Sequence, residues 1–142
     1  MEQNYQNHSR IVPGFHRVLV VLLLAGLIGS VNNLFRSWNN DNLYSASLIV
    51  LLFISASMTY AYVRLFPLKA QDRAIRAEEN FRHYLLTGKT LPADLRIDQI
   101  VALRFASDEE FPGLTQRALK ENLSSKAIKQ DIKNWRADYH RV

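Results

Sequence analysis

LYSASLIVLLFISASMTYAYV (Leu43–Val63) runs directly into RLFPLKAQDRAIRAEENFRHY (Arg64–Tyr84). The first stretch carries no charge over roughly the 20 residues a helix needs to cross a hydrocarbon core, and the second carries eight charged residues. A further uncharged stretch, VLVVLLLAGLIGSVNNLF (Val18–Phe35), lies upstream. A chain of 142 residues has too little protein to enclose two such helices in a soluble core, so both are expected to span a membrane. RSWNNDN (Arg36–Asn42) between them is short and rich in turn formers, which predicts an antiparallel hairpin.

The expected fold class is all-α, a transmembrane helical hairpin followed by a small cytoplasmic helical bundle. Its parts are an N-terminal segment (1–17), a first span (18–35), an external loop (36–42), a second span (43–66) and a helical domain (67–142). Arg10 and Arg17 precede the first span and Arg64, Lys69, Arg73 and Arg76 follow the second, whereas the loop has only Arg36. By the positive-inside rule both termini are expected on the cytoplasmic side. Phe15, Tyr60, Tyr62 and Phe66 suit the inner interface, Trp38 and Tyr44 the outer. A competing reading takes the first span as a cleaved signal peptide; its apolar stretch is long and no clear A-x-A site follows.

Neither span has an ionisable residue in its interior, and such residues usually mark ion pathways and proton relays. Small residues recur instead at close-packing intervals: Ala25 with Gly29, Gly26 with Ser30, Ser57 with Ala61. This spacing lets helix backbones approach, within the hairpin or against another membrane protein.

Along Phe66–Tyr84 and just beyond, Ala70, Ala74, Ala77, Phe81 and Leu85 share a face with Tyr84 at its edge, and this face is expected to pack. Lys69, Arg73 and Arg76 form a stripe beside it, positioned for anionic lipid headgroups. Asp72, Glu78, Glu79 and Arg82 are expected to be solvated, in i,i+4 pairs such as Glu78 with Arg82 and Glu79 with His83. Pro67 is expected to bend or break the chain after the span, and Gly88 to end the helix.

Further on, Lys89–Leu95 reads as a connector and Asp98 as the cap of a helix over Gln99–Ala106. Ser107–Glu110 has the S-x-x-E pattern of a capping box, followed by a helix with Phe111, Leu114, Ala118 and Leu119 on one face. Ser124 or Ser125 is expected to cap a final helix with Ile128, Ile132, Trp135 and Tyr139 in one stripe. Lys126, Lys129, Lys133 and Arg136 would line its basic flank, with Asp131 and Asp138 opposite.

The chain has no cysteine, so disulfides, thiolate metal sites and cysteine nucleophiles are excluded. His8, His16, His83 and His140 occupy unrelated segments without metal-ligand spacing and read as surface or interface residues. There is no Gly-rich phosphate loop, no G-x-S-x-G elbow and no calcium loop. No catalytic, cofactor-binding or metal-binding residue is therefore expected, and no cofactor. The net charge is +5, and Arg64–Val142 contributes most of it, with fifteen Lys and Arg against eleven Asp and Glu. That mixture suits an anionic membrane surface or an acidic partner more than nucleic acid. A tethered helix-turn-helix reading with the last helix on DNA is the weaker alternative.

FPLKAQDRAIRAEENFRHY, LRIDQIVALRFASDEEFPGL and IKNWRADYHRV together resemble a family of small bacterial two-span membrane proteins whose function is unknown. The resemblance covers most of Phe66–Val142 and, more loosely, the spans. It implies an inner-membrane protein with a helical cytoplasmic tail and assigns no ligand or catalytic residue. The functional expectation is a non-catalytic accessory subunit or adaptor, partnered by a larger membrane protein or by further copies of itself. The alternative is a self-associating protein that binds anionic lipid.

Overall fold

The computed structural model describes residues 3–7 and 11–138, so Arg10, His8, Tyr139 and His140 lie outside the described residues. The described chain is all-α. A π-turn over Gly14–Val18 leads into α1 (Leu19–Arg36), followed by α2 (Leu43–Thr87), α3 (Ile97–Leu103), α4 (Phe111–Lys120) and α5 (Ser125–Asp131). Two compact units divide it: Arg10–Phe66, and Pro67–Val142 with the first nine residues.

Gly14–Arg36, in the first unit, and Leu43–Thr87, which runs from the first unit into the second, are helices long and apolar enough to cross a membrane. Only 6% of the most apolar window of each is buried within the chain, whereas a soluble-core helix would be largely covered. Phe15 of the π-turn stacks on Tyr60 of α2 at 4.7 Å, and a Cβ on Gly26 of α1 would lie 2.0 Å from the Phe53 ring of α2. Ser57 Oγ donates to Phe53 O at 2.8 Å and Thr59 Oγ1 to Ser55 O at 2.9 Å. Each of these hydroxyls is satisfied by a carbonyl of its own helix.

Of the two outcomes expected at Pro67, a break does not occur; α2 continues through it to Thr87. Proline removes one backbone donor, and good helix formers on both sides sustain the rest. The end comes at Gly88, as expected, where φ is +71° and its N–H donates to Tyr84 O at 2.8 Å. The left-handed conformation has no steric cost for glycine.

The second unit is built on a core of Leu95, Ile100, Leu103, Phe105, Phe111, Leu114, Ala118, Ile128 and Ile132, with Ile75 supplied by α2. Phe105 and Phe111 are fully buried. α3 starts at Ile97, earlier than Asp98 as a cap would allow. Arg96 N–H donates instead to Gln99 Oε1 at 3.0 Å, while Gln99 Nε2 reaches Ala118 O and Leu123 O at 3.1 and 3.0 Å. One buried amide thus ties the start of α3 to the end of α4. There Asn122 adopts φ +48°, and Leu123 N–H returns to Ala118 O at 3.1 Å, closing a Schellman turn.

Two more expectations are corrected. Glu110 does not close a capping box on Ser107; its carboxylate accepts from the N–H groups of Lys133 and Asn134 at 3.2 and 3.3 Å. Nor does the last helix reach Trp135. Ser124 caps α5 through Ala127 N–H at 3.2 Å, but the helix stops at Asp131 and Ile132 is extended. Ser107 N–H donates to Asn134 O at 3.1 Å and Arg136 N–H to Phe105 O at 2.7 Å. Backbone pairing with 105–107, which brings Trp135 to 5.0 Å from Phe105, outcompetes further helix.

Candidate functional site

The stretch of α2 from Pro67 onward presents three faces. At 100° per residue, Ile75, Glu79, Arg82 and His83 lie together, and all four are buried. Arg82 is 9% exposed and Glu79 6%, against the expectation that both are solvated. They are held by partners: Arg82 pairs with Glu79 at 3.0 Å and Asp108 at 2.6 Å. It also donates to Ala106 O at 2.8 Å and lies 4.4 Å above the Phe111 ring. His83 Nδ1–H donates to Lys89 O at 2.7 Å, and its ring meets Phe111 edge-on at 5.9 Å, so it is an interior residue.

The opposite face holds Ala70, Ala74, Ala77, Phe81, Tyr84 and Leu85. It was expected to pack, yet it is open: Phe81 is 62% exposed, Tyr84 53% and Leu85 68%. The bundle has docked on the charged side because that side finds ion-pair and carbonyl partners there.

The third face is the cationic stripe. Lys69, Arg73 and Arg76 line one shallow cleft of about 310 Å³ with Asp72 and with Ile97 from the start of α3. The structure therefore brings the three expected lipid contacts together and adds two residues not anticipated. None of the three cations has an ion-pair partner within 4.0 Å among the described residues. The other arginines of the described unit are all paired: Arg82 as above, Arg96 with Asp98, Arg104 with Asp138, Arg117 with Glu121 and Asp131, and Arg136 with Glu79. The hydrogen bond to Glu121 raises the Arg117 guanidinium above its ordinary pKa, with help from the charges of Glu121 and Asp131.

A second cleft, of about 470 Å³, is lined by Glu78, Glu79, Arg104, Arg136 and Asp138, whose charges largely answer one another. Lys126 and Lys129 lie on α5, whereas Lys133 and Arg136 follow it outside any helix. The expected basic flank therefore does not lie along a single helix among the described residues. Of the small residues in the spans, Gly26 faces Phe53, Ser30 is buried and Ser57 half-buried. Ala25, Gly29 and Ala61 are exposed, with open space around Gly29. Among the described residues, no group of three or more His, Asp or Glu side chains is placed to hold a metal ion.

No curated protein and no solved structure matches the chain. One family model matches residues 1–142, and the chain accordingly belongs to DUF6526, a family of unknown function.

Proposed function

We propose that this is a non-catalytic accessory subunit or adaptor of a larger membrane assembly. It would be anchored by a two-span hairpin in a bacterial inner membrane with both termini cytoplasmic. The observation that carries the reading is the open face of α2, where Phe81, Tyr84 and Leu85 stay exposed on a helix whose other side is firmly docked. A contiguous exposed apolar and aromatic surface on an ordered element marks an interaction site. The same-side placement of the termini is supported by a reciprocal pair: Asp138 N–H donates to Gln3 Oε1 at 2.7 Å and Gln3 Nε2 to Asp138 O at 3.3 Å. The span assignment is supported by the uncovered apolar surface of Gly14–Arg36 and Leu43–Thr87.

The test is purification of the tagged full chain from its native membrane in mild detergent, beside a Phe81→Ser/Leu85→Ser variant, with bound proteins identified by mass spectrometry. A stoichiometric larger membrane protein that is lost in the variant is the expected result. Recovery of the wild type alone would sink the accessory reading.

A second reading, contact with anionic lipid at the membrane surface, is favoured by the gathering of Lys69, Arg73 and Arg76 into one cleft. Lys69 follows the uncharged stretch by only a few residues, within reach of headgroups.

A further inference from the structure

We infer that the cleft formed by Lys69, Arg73, Arg76, Asp72 and Ile97 is a binding site for a phosphate monoester, which is largely dianionic at neutral pH. The inference deepens the second reading above and rests on it for the lipid source of the ligand. A basic stripe beside a membrane span is explained by topology alone, and such charges need only be present. What topology leaves unexplained is their arrangement. Lys69 and Arg73 are i,i+4 neighbours and Arg73 and Arg76 i,i+3, a spacing at which like charges repel across about 5–6 Å between Cβ atoms.

Every other described arginine of this unit is paired with a carboxylate. Arg73 and Arg76 have not, although Asp72 lines the same cleft. Three cations and one carboxylate leave an excess of two positive charges. A phosphate monoester carries about −1.5 to −2 at neutral pH, whereas the phosphodiester of most phospholipids carries one negative charge. Guanidinium groups are suited to phosphate oxygens because their donors form a planar fork that engages two of them at once. Ile97, 37% exposed, comes from a different helix and gives the cleft an apolar wall, against which the carbon atoms next to the phosphate would rest.

Phosphatidic acid and a soluble phosphate monoester share this chemistry, and the experiment separates them. The full chain in detergent is titrated by native mass spectrometry with phosphatidic acid, phosphatidylglycerol and phosphatidylcholine of matched acyl chains, and inorganic phosphate is then added as competitor. The wild type is compared with Arg73→Gln/Arg76→Gln and with a control, Lys120→Gln/Lys126→Gln, which removes two exposed charges elsewhere. The expected result is preference for phosphatidic acid over phosphatidylglycerol, with affinity for phosphatidic acid falling roughly 30-fold in the arginine variant and little in the control.

Displacement by millimolar inorganic phosphate would assign the site to a soluble ligand, and resistance to it would assign the site to a headgroup. Direct binding of inorganic phosphate that the arginine variant loses supports the site even without lipid preference. The inference is overturned if the arginine variant keeps its preference for phosphatidic acid, or if both variants lose phosphatidic acid and phosphatidylglycerol alike. A wild type that binds neither phosphate nor anionic lipid better than phosphatidylcholine overturns the membrane-surface reading as well.

Discussion

Between Pro67 and Thr87, α2 buries Glu79, Arg82 and His83 and exposes Phe81, Tyr84 and Leu85. The two sets lie on opposite sides of one helix and are sorted against hydropathy. Burial of apolar area favours the aromatic side, at about 25 cal/mol per Å². The charged side is buried because each of its groups has a partner in place: Arg82 meets Glu79, Asp108, Ala106 O and the Phe111 ring, and His83 meets Lys89 O. A buried polar group is tolerated when its hydrogen bonds are met. The comparison teaches that the position of this helix in the bundle is specified by polar complementarity, and that its apolar side is left for something else.

The contrast breaks first at Arg82. Replacing it by Ala leaves Glu79 buried with only Arg136, 3.8 Å away, and removes a donor from Ala106 O. Urea unfolding of the full chain in detergent should show a loss of about 3–5 kcal/mol, the usual result of removing one partner of a buried pair. Arg82→Lys should recover only part of this, since an ammonium group cannot serve Asp108, Glu79 and a carbonyl in one plane. Arg117→Ala removes a pair of the same chemistry on the surface and should change little. Equal effects at Arg82 and Arg117 would mean that burial of the inward pair contributes nothing special.

Much of this fold is legible in the sequence, and the failures share one physical cause. Length and absence of charge mark both apolar stretches; Gly88 marks the end of α2; and the periodic Ile100, Leu103, Phe105, Phe111, Leu114, Ala118 and Ile128 mark the core. All these signals are local. The docking side of α2 is decided by Asp108 and Ala106, more than twenty residues away in sequence. The end of α5 is likewise decided by distant backbone, where Phe105 O accepts from Arg136 N–H and Ser107 N–H donates to Asn134 O. Ile128, Ile132 and Trp135 have helical spacing and still do not share a helix, because a two-turn helix is only marginally favoured and competing pairing is at hand. The candidate site divides the same way: the cationic stripe is readable from i, i+4, i+7 spacing, whereas Ile97 enters only through the fold.

The first apolar helix offers a comparison of its own, between two glycines three residues apart. A Cβ on Gly26 would meet the Phe53 ring at 2.0 Å, whereas one on Gly29 meets nothing within 4 Å. Gly26→Ala should lower stability in detergent by about 1–2 kcal/mol, toward the low end of overpacking because the ring can swing aside. Gly29→Ala should be neutral or slightly stabilising through helix propensity. The reverse order in a thermal melt would mean that Gly29, and not Gly26, faces the neighbouring helix. Gly88→Ala tests the end of α2, where a side chain at φ +71° should reduce stability by about 1 kcal/mol.

The smallest expected effect on stability belongs to the face that looks most like a core. Phe81→Ser and Leu85→Ser remove large apolar side chains that are 62% and 68% exposed. If the bundle leaves this side uncovered, each should shift unfolding by no more than about 0.5 kcal/mol, far less than the 2–5 kcal/mol typical of truncating buried leucine or phenylalanine. A core-like loss in the isolated protein would show that Phe81 and Leu85 are already covered, by a second copy or by the chain itself, and the face would no longer be available to a partner. A neutral result combined with loss of co-purifying protein would separate the two faces of α2 completely. Arg82 would then hold the bundle together, while Phe81 and Leu85 would serve only what the bundle is held in place to meet.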